Sequence, residues 1–401
     1  MAISSPAYIL SSKKGVSACL DLSLNVIKPP PNGKRVLIVG GGVTGLTTAW
    51  VLIDAGYDVT VVSEQWAPAT PRITSQIAGA LWEYPPAVCG SHIDVHSLAS
   101  SKGWSLTSYH IFEQLSKTLP AMCEIKASSI KGFVRDPDLI LKHDVNQDAG
   151  VVDAYSHLAP VIDTDAYMVW LRDLVEKKGA KYVTRRIDGD LLDSEVELLR
   201  TYGAMAIVNA TGLRSIEAAN DKACYPLRGA LIRVVNDGKR FPKVNEALVV
   251  THDDRLGTDV EDIVFIVPRN EKVLILGGIA QPHKSELTLT MDSPEIGRMR
   301  QRCNQFVPGL EKAEYDPEAP LVQGLRPFRV GNVRVERELR PSKTSDGVSR
   351  IVHSYGQGGS GFSFSFGCAI EVLNLIDHVA EVAAAELRMA VESGDIVQSK
   401  L

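Results

Sequence analysis

The chain has 401 residues, 45% hydrophobic and 23% charged, with a formal net charge of −5. That length accommodates two domains or one large interleaved unit of ordinary globular composition. The mild negative balance gives no electrostatic case for nucleic acid or an acidic membrane surface as partner, and no apolar run reads as long enough to span a bilayer.

Residues 1–33 contain Ser4, Ser5, Lys13, Lys14 and the run Pro29-Pro30-Pro31, and read as an extension before the first strand. They lack the continuous apolar core of a secretory signal. Residues 35–64 are far more informative. The apolar run Val36 to Val39 leads into Gly40-x-Gly42-x-x-Gly45, an amphipathic helix pattern, and a second apolar run, Val59 to Val62, ending in Ser63-Glu64. This is strand, glycine turn, helix, strand. Gly40 permits the tight turn, Gly42 lets backbone approach a pyrophosphate, and Gly45 lets the helix pack on the sheet. The helix start offers free N–H groups and a positive dipole end to phosphates. A lone GxGxxG is weak evidence, but here it has its strand–helix context and a carboxylate about twenty residues on for a ribose.

A loop rich in Pro and Thr follows, Pro68 to Thr74. Residues 103–119 carry a helical pattern with Trp104, Tyr109, Phe112 and Leu115, and 124–152 turn irregular or strand-like. Thr164 is placed to cap a helix through Tyr167, Trp170, Leu171 and Leu174 to Lys178, with Gly179 as its stop. Lys181 to Ile187 and Ala206 to Asn209 read as strands, the latter closing on Thr211-Gly212. Four β-rich segments come next, at 228–235, 246–252, 263–267 and 272–277, and then a helix pattern at 293–306. A final strand, Ile351 to Ser354, meets the glycine cluster Gly356, Gly358, Gly359, Gly361, which opens a long helix from 361 to about 387. Four glycines in six residues exceed what a helix cap needs. They let backbone crowd a ligand, and the helix start can stabilise an anion.

Dinucleotide-type βα pieces thus lie at the start, near 163–212, and at the end, with β-rich pieces between. A nucleotide domain assembled from separated segments would carry a mostly antiparallel second domain, with cofactor and substrate meeting at their interface. Cys19, Cys89, Cys123, Cys224, Cys303 and Cys368 are scattered without a CxxC, which argues against a disulfide framework and a zinc site and suits a reducing compartment. The nine histidines show no metal-ligand spacing, so no metal is expected.

Seven motifs in order carry a resemblance: VLIVGGGVTGLTTA, IAGALW (77–82), VNATG (208–212), LGGIAQ (276–281), GLRPFR (324–329), RVERE (334–338) and SYGQGGSGFSFSFGCAIE (354–371). From Arg35 to its end the chain resembles the D-amino-acid oxidase and D-aspartate oxidase family, flavoenzymes that bind FAD without a covalent bond. The resemblance implies an α/β fold in which a Rossmann-like FAD-binding domain of the glutathione-reductase type is interleaved with a mostly antiparallel β substrate-binding domain. On that reading the FAD-binding domain comprises 34–90, 155–225 and 320–395. The substrate-binding domain comprises 91–154 and 226–319, and 396–401 form a tail.

Carried over residue by residue, the resemblance lays Gly41, Gly42, Val43 and Thr44 along the pyrophosphate, beside Gly40 and Gly45 of the same turn. Glu64 stands where the family has an acidic residue by the ribose, and Ser63 takes the place where many related flavoproteins put it, so either is a candidate. Thr74 and Ser75 would reach phosphate oxygens. Arg72 joins them as a cofactor candidate, although the family shows no clear counterpart for it. Gly79, Ala80 and Leu81 would approach the flavin's reactive edge, Ile187 and Thr211 the adenosine side, and Gly358, Gly359, Gly361, Phe362 and Ser363 the isoalloxazine ring. Arg326 of GLRP would fix the substrate carboxylate, because guanidinium donors match two coplanar oxygens. Arg329, Arg334, Arg337 and Arg340 are better suited to exposed salt bridges. Gly359 would also border the substrate.

The implied reaction passes a hydride from the substrate Cα to flavin N5. The resulting imino acid hydrolyses to a 2-oxo acid and ammonia, and dioxygen is reduced to hydrogen peroxide. No acid or base is assigned, since the protein positions and the cofactor performs the chemistry. Two departures bear on the substrate. Phe265 stands where the family has a tyrosine that shares the carboxylate, and Glu261 falls near the place of a lid tyrosine. An acidic residue at the mouth would favour amines over anions. His252 reads as structural and Arg255 as an exposed loop residue. The leading expectation is D-amino acid catabolism. The alternatives are oxidation of an unusual or cyclic amine or amino acid in specialised metabolism, or a non-catalytic flavin-binding protein. The terminal Ser399-Lys400-Leu401 is a peroxisomal address, which implies an import receptor as partner. A homodimer is a further expectation.

Overall fold

The computed structural model describes residues 7–11, 17–22, 32–85, 95–119, 123–126, 134–143, 145–146, 148, 151, 153–250, 263–341 and 348–392. Glu261, His252, Arg255 and Ser399–Leu401 lie outside these.

The first sheet runs, edge to edge, Arg334–Arg337, Ile351–Tyr355, Ala206–Asn209, Arg35–Val39, Asp58–Ser63 and Lys181–Thr184. Its five consecutive strands from Ile351–Tyr355 onward pair in parallel, and Arg334–Arg337 adds an antiparallel edge. Strand Arg35–Val39 is central and covered on both faces, as a parallel strand must be. Val36 and Ile38 join one core with the helices Val43–Asp54, Thr164–Lys177 and Gly361–Glu392, while Leu37 and Val39 join another with Leu191–Tyr202. Trp50 of the first helix meets Phe366 of the last edge-on at 5.5 Å, so the two helices that begin at the glycine motifs pack on each other.

The second sheet is antiparallel in every pair described. Its order is Leu248–Val250, Val264–Pro268, Val273–Gly277, Cys224–Val235 and Gln281–Pro282, with Leu321–Arg329 also paired to Cys224–Val235. That last pairing runs unbroken from Cys224 opposite Arg329 to Ile232 opposite Leu321. The helix Pro294–Phe306 covers this sheet with Ile296, Met299, Cys303 and Phe306.

Several local expectations shift. The helix expected at 103–119 runs Val95–Thr118. The helix expected to be capped by Thr164 begins there, but Asp163 caps it by accepting from Ala166 N, and Thr164 instead donates to Gln76 O at 2.7 Å. The strand expected to reach Ile187 ends at Thr184. Part of the N-terminal extension forms an antiparallel hairpin, Ala7–Ser11 with Ser17–Asp21, and Leu20 and Leu22 are buried in the main core. The stretch Gly361–Glu381 is in fact long and apolar enough to cross a membrane by composition, but 67% of its most apolar window is buried against the first sheet's helices and strands.

Candidate active site

A cleft of about 940 Å³ opens where the strand order reverses at the centre of the parallel sheet and extends to the antiparallel sheet. Ligands of open α/β sheets bind at such a crevice, beyond the carboxyl ends of the strands. The turn after Arg35–Val39 forms one wall. Gly40 has φ +122°, and an added Cβ there would overlap the carbonyl of Ala210. An added Cβ on Gly45 would overlap the Gly40 carbonyl, so this glycine serves helix–strand contact and does not face the cleft. The helix that follows has Gly42 as its N-cap without a side-chain acceptor, so its first N–H groups need partners from outside the helix. Val43 N donates to Ser75 Oγ at 3.0 Å, which brings the Thr74–Ile77 turn against the helix start.

Gly40, Gly41, Gly42, Val43, Thr44, Ser63, Glu64, Arg72, Thr74, Ser75, Gly79, Ala80, Leu81, Ile187, Thr211, Gly358, Gly359, Gly361, Phe362, Ser363 and Arg326 all line this one cleft. Residues more than 300 positions apart are thereby gathered. Beyond Ser63 the Glu64 carboxylate is held by Arg214 at 2.9 Å, while the Ser63 hydroxyl donates to Gln65 O. Thr211 Oγ1 donates to Asn209 Oδ1 at 2.8 Å. Arg72 is braced by Asp165 at 2.9 Å, and Asp165 in turn by Arg233 at 3.0 Å, whose Nε reaches Asp316. The paired guanidinium groups hold the Asp165 carboxyl below the usual carboxylate range against the opposing effect of burial.

At the opposite end the glycine cluster turns through Gly358 (φ +56°) into the last helix. Gly358 N donates to Pro327 O at 3.0 Å, tying the turn to the residue after Arg326. The Arg326 guanidinium donates to Ile279 O at 3.1 Å. Among the described residues no carboxylate pairs with it, and burial alone lowers its pKa. Its neighbours differ. Arg329 pairs with Asp221, Arg334 with Glu336, and Arg340 with Glu338 and Asp190. Burying a guanidinium without a counter-ion is costly, and an anionic ligand removes that cost.

Phe265 is not in the cleft wall. Its ring lies behind Gly79, where an added Cβ would sit 2.6 Å from Cζ, and it packs with Leu231, Ile275 and Val322. Sequence reasoning overlooked Gly229, whose lack of a Cβ makes room for the Arg326 guanidinium; a glycine inside a long strand was the available signal. It also overlooked Arg214, Arg233 and Arg269, which no motif marks.

The residues suit a dinucleotide flavin. The cleft has helix N-termini at two places along it, glycines where side chains would fill it, and a carboxylate at the end of the second strand. Comparison with known proteins agrees. The family model for FAD-dependent oxidoreductases of the DAO type matches residues 35–375. A D-amino-acid oxidase of Streptomyces coelicolor is 30% identical over 351 residues, 85% of this chain and 96% of that protein. Another from Dictyostelium discoideum is 30% identical over 359 residues, 86% and 91% of the two chains. Among solved structures, glycine oxidase from Bacillus cereus superposes with a TM-score of 0.62 at 14% identity, covering 86% of this chain and 97% of that one. L-proline dehydrogenase from P. horikoshii gives 0.59 at 13% identity, covering 86% and 94%. The chain belongs to the DAO family of FAD-dependent oxidoreductases, and FAD is its cofactor.

Proposed function

We propose that this protein is an oxidase of D-amino acids that anchors the substrate carboxylate on Arg326 and uses dioxygen as electron acceptor. The observation that carries the reading is the Arg326 guanidinium, without a carboxylate partner among the described residues, on a cleft wall hydrogen-bonded to the Gly358–Gly361 turn. A carboxylate supplies what that group lacks, two coplanar acceptors and a negative charge. Gly41 to Thr44 would hold the pyrophosphate of FAD and Glu64 its ribose, with Gly358 to Ser363 and Gly79 to Leu81 flanking the ring. Bound FAD would supply a two-electron acceptor for the hydride of the substrate Cα, with dioxygen as final oxidant and hydrogen peroxide as its reduced product. The protein's share is orientation. Arg326 fixes one end of the substrate, and the glycine turn sets how near the cofactor it lies. No side chain is assigned as acid or base.

The relatives named D-amino-acid oxidase support this reading, and Phe265 supports a broader substrate test. A phenylalanine contributes no hydroxyl to the carboxylate, so Arg326 carries that task and the panel must include glycine, cyclic and secondary amino acids. Anaerobic mixing of the FAD-loaded protein with D-amino acids should bleach the visible flavin bands. Bleaching by secondary or cyclic amines alone selects the second reading, oxidation of an unusual amine. Bleaching by none sinks both.

A further inference from the structure

Arg269 follows the strand Val264–Pro268 at the sharp turn into the next strand and is 5% exposed. Its Nη1 donates to Ile162 O at 2.6 Å and its Nη2 to Ala78 O at 2.5 Å, while Nε is buried without a partner. It makes no ion pair among the described residues. Asp163, which contributes attraction, caps a helix and accepts from Asn270 at 2.8 Å, and Asp165 is held between Arg72 and Arg233. Burial pushes the guanidinium pKa down to about 10, which still leaves it charged. As a stability device this is a poor arrangement, since an apolar side chain of similar volume avoids the desolvation.

Both carbonyls belong to one construction. Ala78 leads directly into Gly79, Ala80 and Leu81, which line the cleft. Ile162 N donates to Ala80 O at 3.1 Å, so the same residue that receives Arg269 on its carbonyl holds the loop with its N–H. Ala80 sits at φ +51°, a left-handed conformation that costs a side-chain-bearing residue about 1–2 kcal/mol and persists only where the surroundings fix it. Phe265, in the strand that Arg269 follows, backs Gly79 directly. The strand and the turn that ends it therefore grip this loop at two points.

We propose that Arg269 is a positioning residue for the cofactor, holding the Ala78–Leu81 wall in its left-handed turn and placing a fixed positive charge behind it. A guanidinium on the Ala78 carbonyl polarises that peptide, and the Gly79 N–H at its other end becomes a stronger donor. Negative charge arriving in the cleft is then met by a preorganised dipole and a buried cation. The inference rests on FAD lying in this cleft, as proposed above.

The test uses the FAD-loaded protein and a dye-referenced chemical titration with no amino acid present, so it can be read even if the substrate assignment fails. Arg269→Lys keeps the charge and at least one carbonyl contact; Arg269→Met removes both. Arg269→Met should lower the two-electron potential of bound FAD by about 30 mV, a tenfold change in the equilibrium. It should also lower kcat about tenfold while KM, set by Arg326, moves less than twofold, with Arg269→Lys intermediate. An unchanged potential and kcat in either variant that folds, with only the melting temperature reduced, overturns the proposal. If Arg269→Met does not fold, Arg269→Lys decides: a potential and absorption spectrum identical to wild type overturn it, and a partial shift supports it. Failure of wild type to bleach with D-amino acids would instead sink the substrate reading and leave this measurement standing.

Discussion

Gly229 offers a way to move Arg326 without removing it. The two residues lie on paired strands, and a Cβ added at 229 would stand 2.6 Å from the guanidinium Cζ and 2.7 Å from Nη2. Both distances are closer than real Cβ contacts, so in Gly229→Ala the guanidinium must swing off its present seat. The strand itself should tolerate alanine, since Gly229 is not among the positions with positive φ. Loss of one charge-assisted contact to a carboxylate is worth about 1.5–3 kcal/mol. That corresponds to about a tenfold to hundredfold rise in KM. The assay is steady-state peroxide production with a D-amino acid, alongside the affinity of a simple aromatic carboxylate and of FAD. KM and the carboxylate dissociation constant should rise together while FAD affinity stays within twofold. An unchanged KM with a folded, yellow variant refutes the placement of the carboxylate on Arg326.

Other outcomes follow from buried charge and from the termini. Lys178 is fully buried, 2.8 Å from Asp54, so Lys178→Met should cost about 3–5 kcal/mol by leaving that carboxylate unpaired. Lys178→Met with Asp54→Asn, which keeps an acceptor for Asp21 N and Trp50 Nε1, should recover much of the loss in thermal melts, and a single variant as stable as wild type contradicts the pairing. Burial pushes the Glu83 carboxyl up to about 7. The folded state then keeps a proton that the unfolded chain loses at lower pH. This contribution is full below the ordinary carboxylate range and is lost as pH rises through about 7. Melting temperature should therefore fall more steeply between about pH 5.5 and pH 8 in wild type than in Glu83→Gln, and parallel curves would reject the shift. Deleting residues 1–31 should lower the melting temperature, because burial of Leu20 and Leu22 contributes about 1.5–3 kcal/mol each. A fluorescent fusion ending in Ser399-Lys400-Leu401 should mark peroxisomes and disperse when the tripeptide is removed; identical distributions would dismiss the address.

What the sequence displayed best was what backbone geometry demands of particular residue types. The Gly40 to Gly45 spacing announced the first βαβ unit because only glycine fits where φ is positive or where a Cβ meets a carbonyl. The Gly356 to Gly361 run marked the second helix start for the same reason. Elements specified by distant partners were harder to see. Leu321–Arg329 contains Gly324 and Pro327, poor strand residues, and is held by its nine-residue pairing with Cys224–Val235. The hairpin in the N-terminal extension has a plain sequence and is fixed by packing on the Val43–Asp54 helix, where Asp21 N donates to Asp54 at 2.8 Å. The helix Leu191–Tyr202 did carry legible signals, an Asp190 cap and Gly203 in the left-handed conformation, which the strand-centred reading passed over. An arginine stood out in the sequence only where a motif marked it. Arg326 stood in GLRP and lines the cleft, whereas Arg233 and Arg269 are told from surface arginines only by what folds around them.

The peptide hydrogen bond from Gly358 to Pro327, beside the Phe328–Gln357 bridge, has a wider consequence. It joins the Arg326 strand and the Gly358–Gly361 turn in one braced frame, so on the proposed reading the spacing between substrate anchor and cofactor is set largely by main chain. Side chains outside this frame can then change without altering the spacing between the two segments. Selection for a new substrate would act on the rim of the cleft, and engineering that aims to change specificity without losing turnover should begin there.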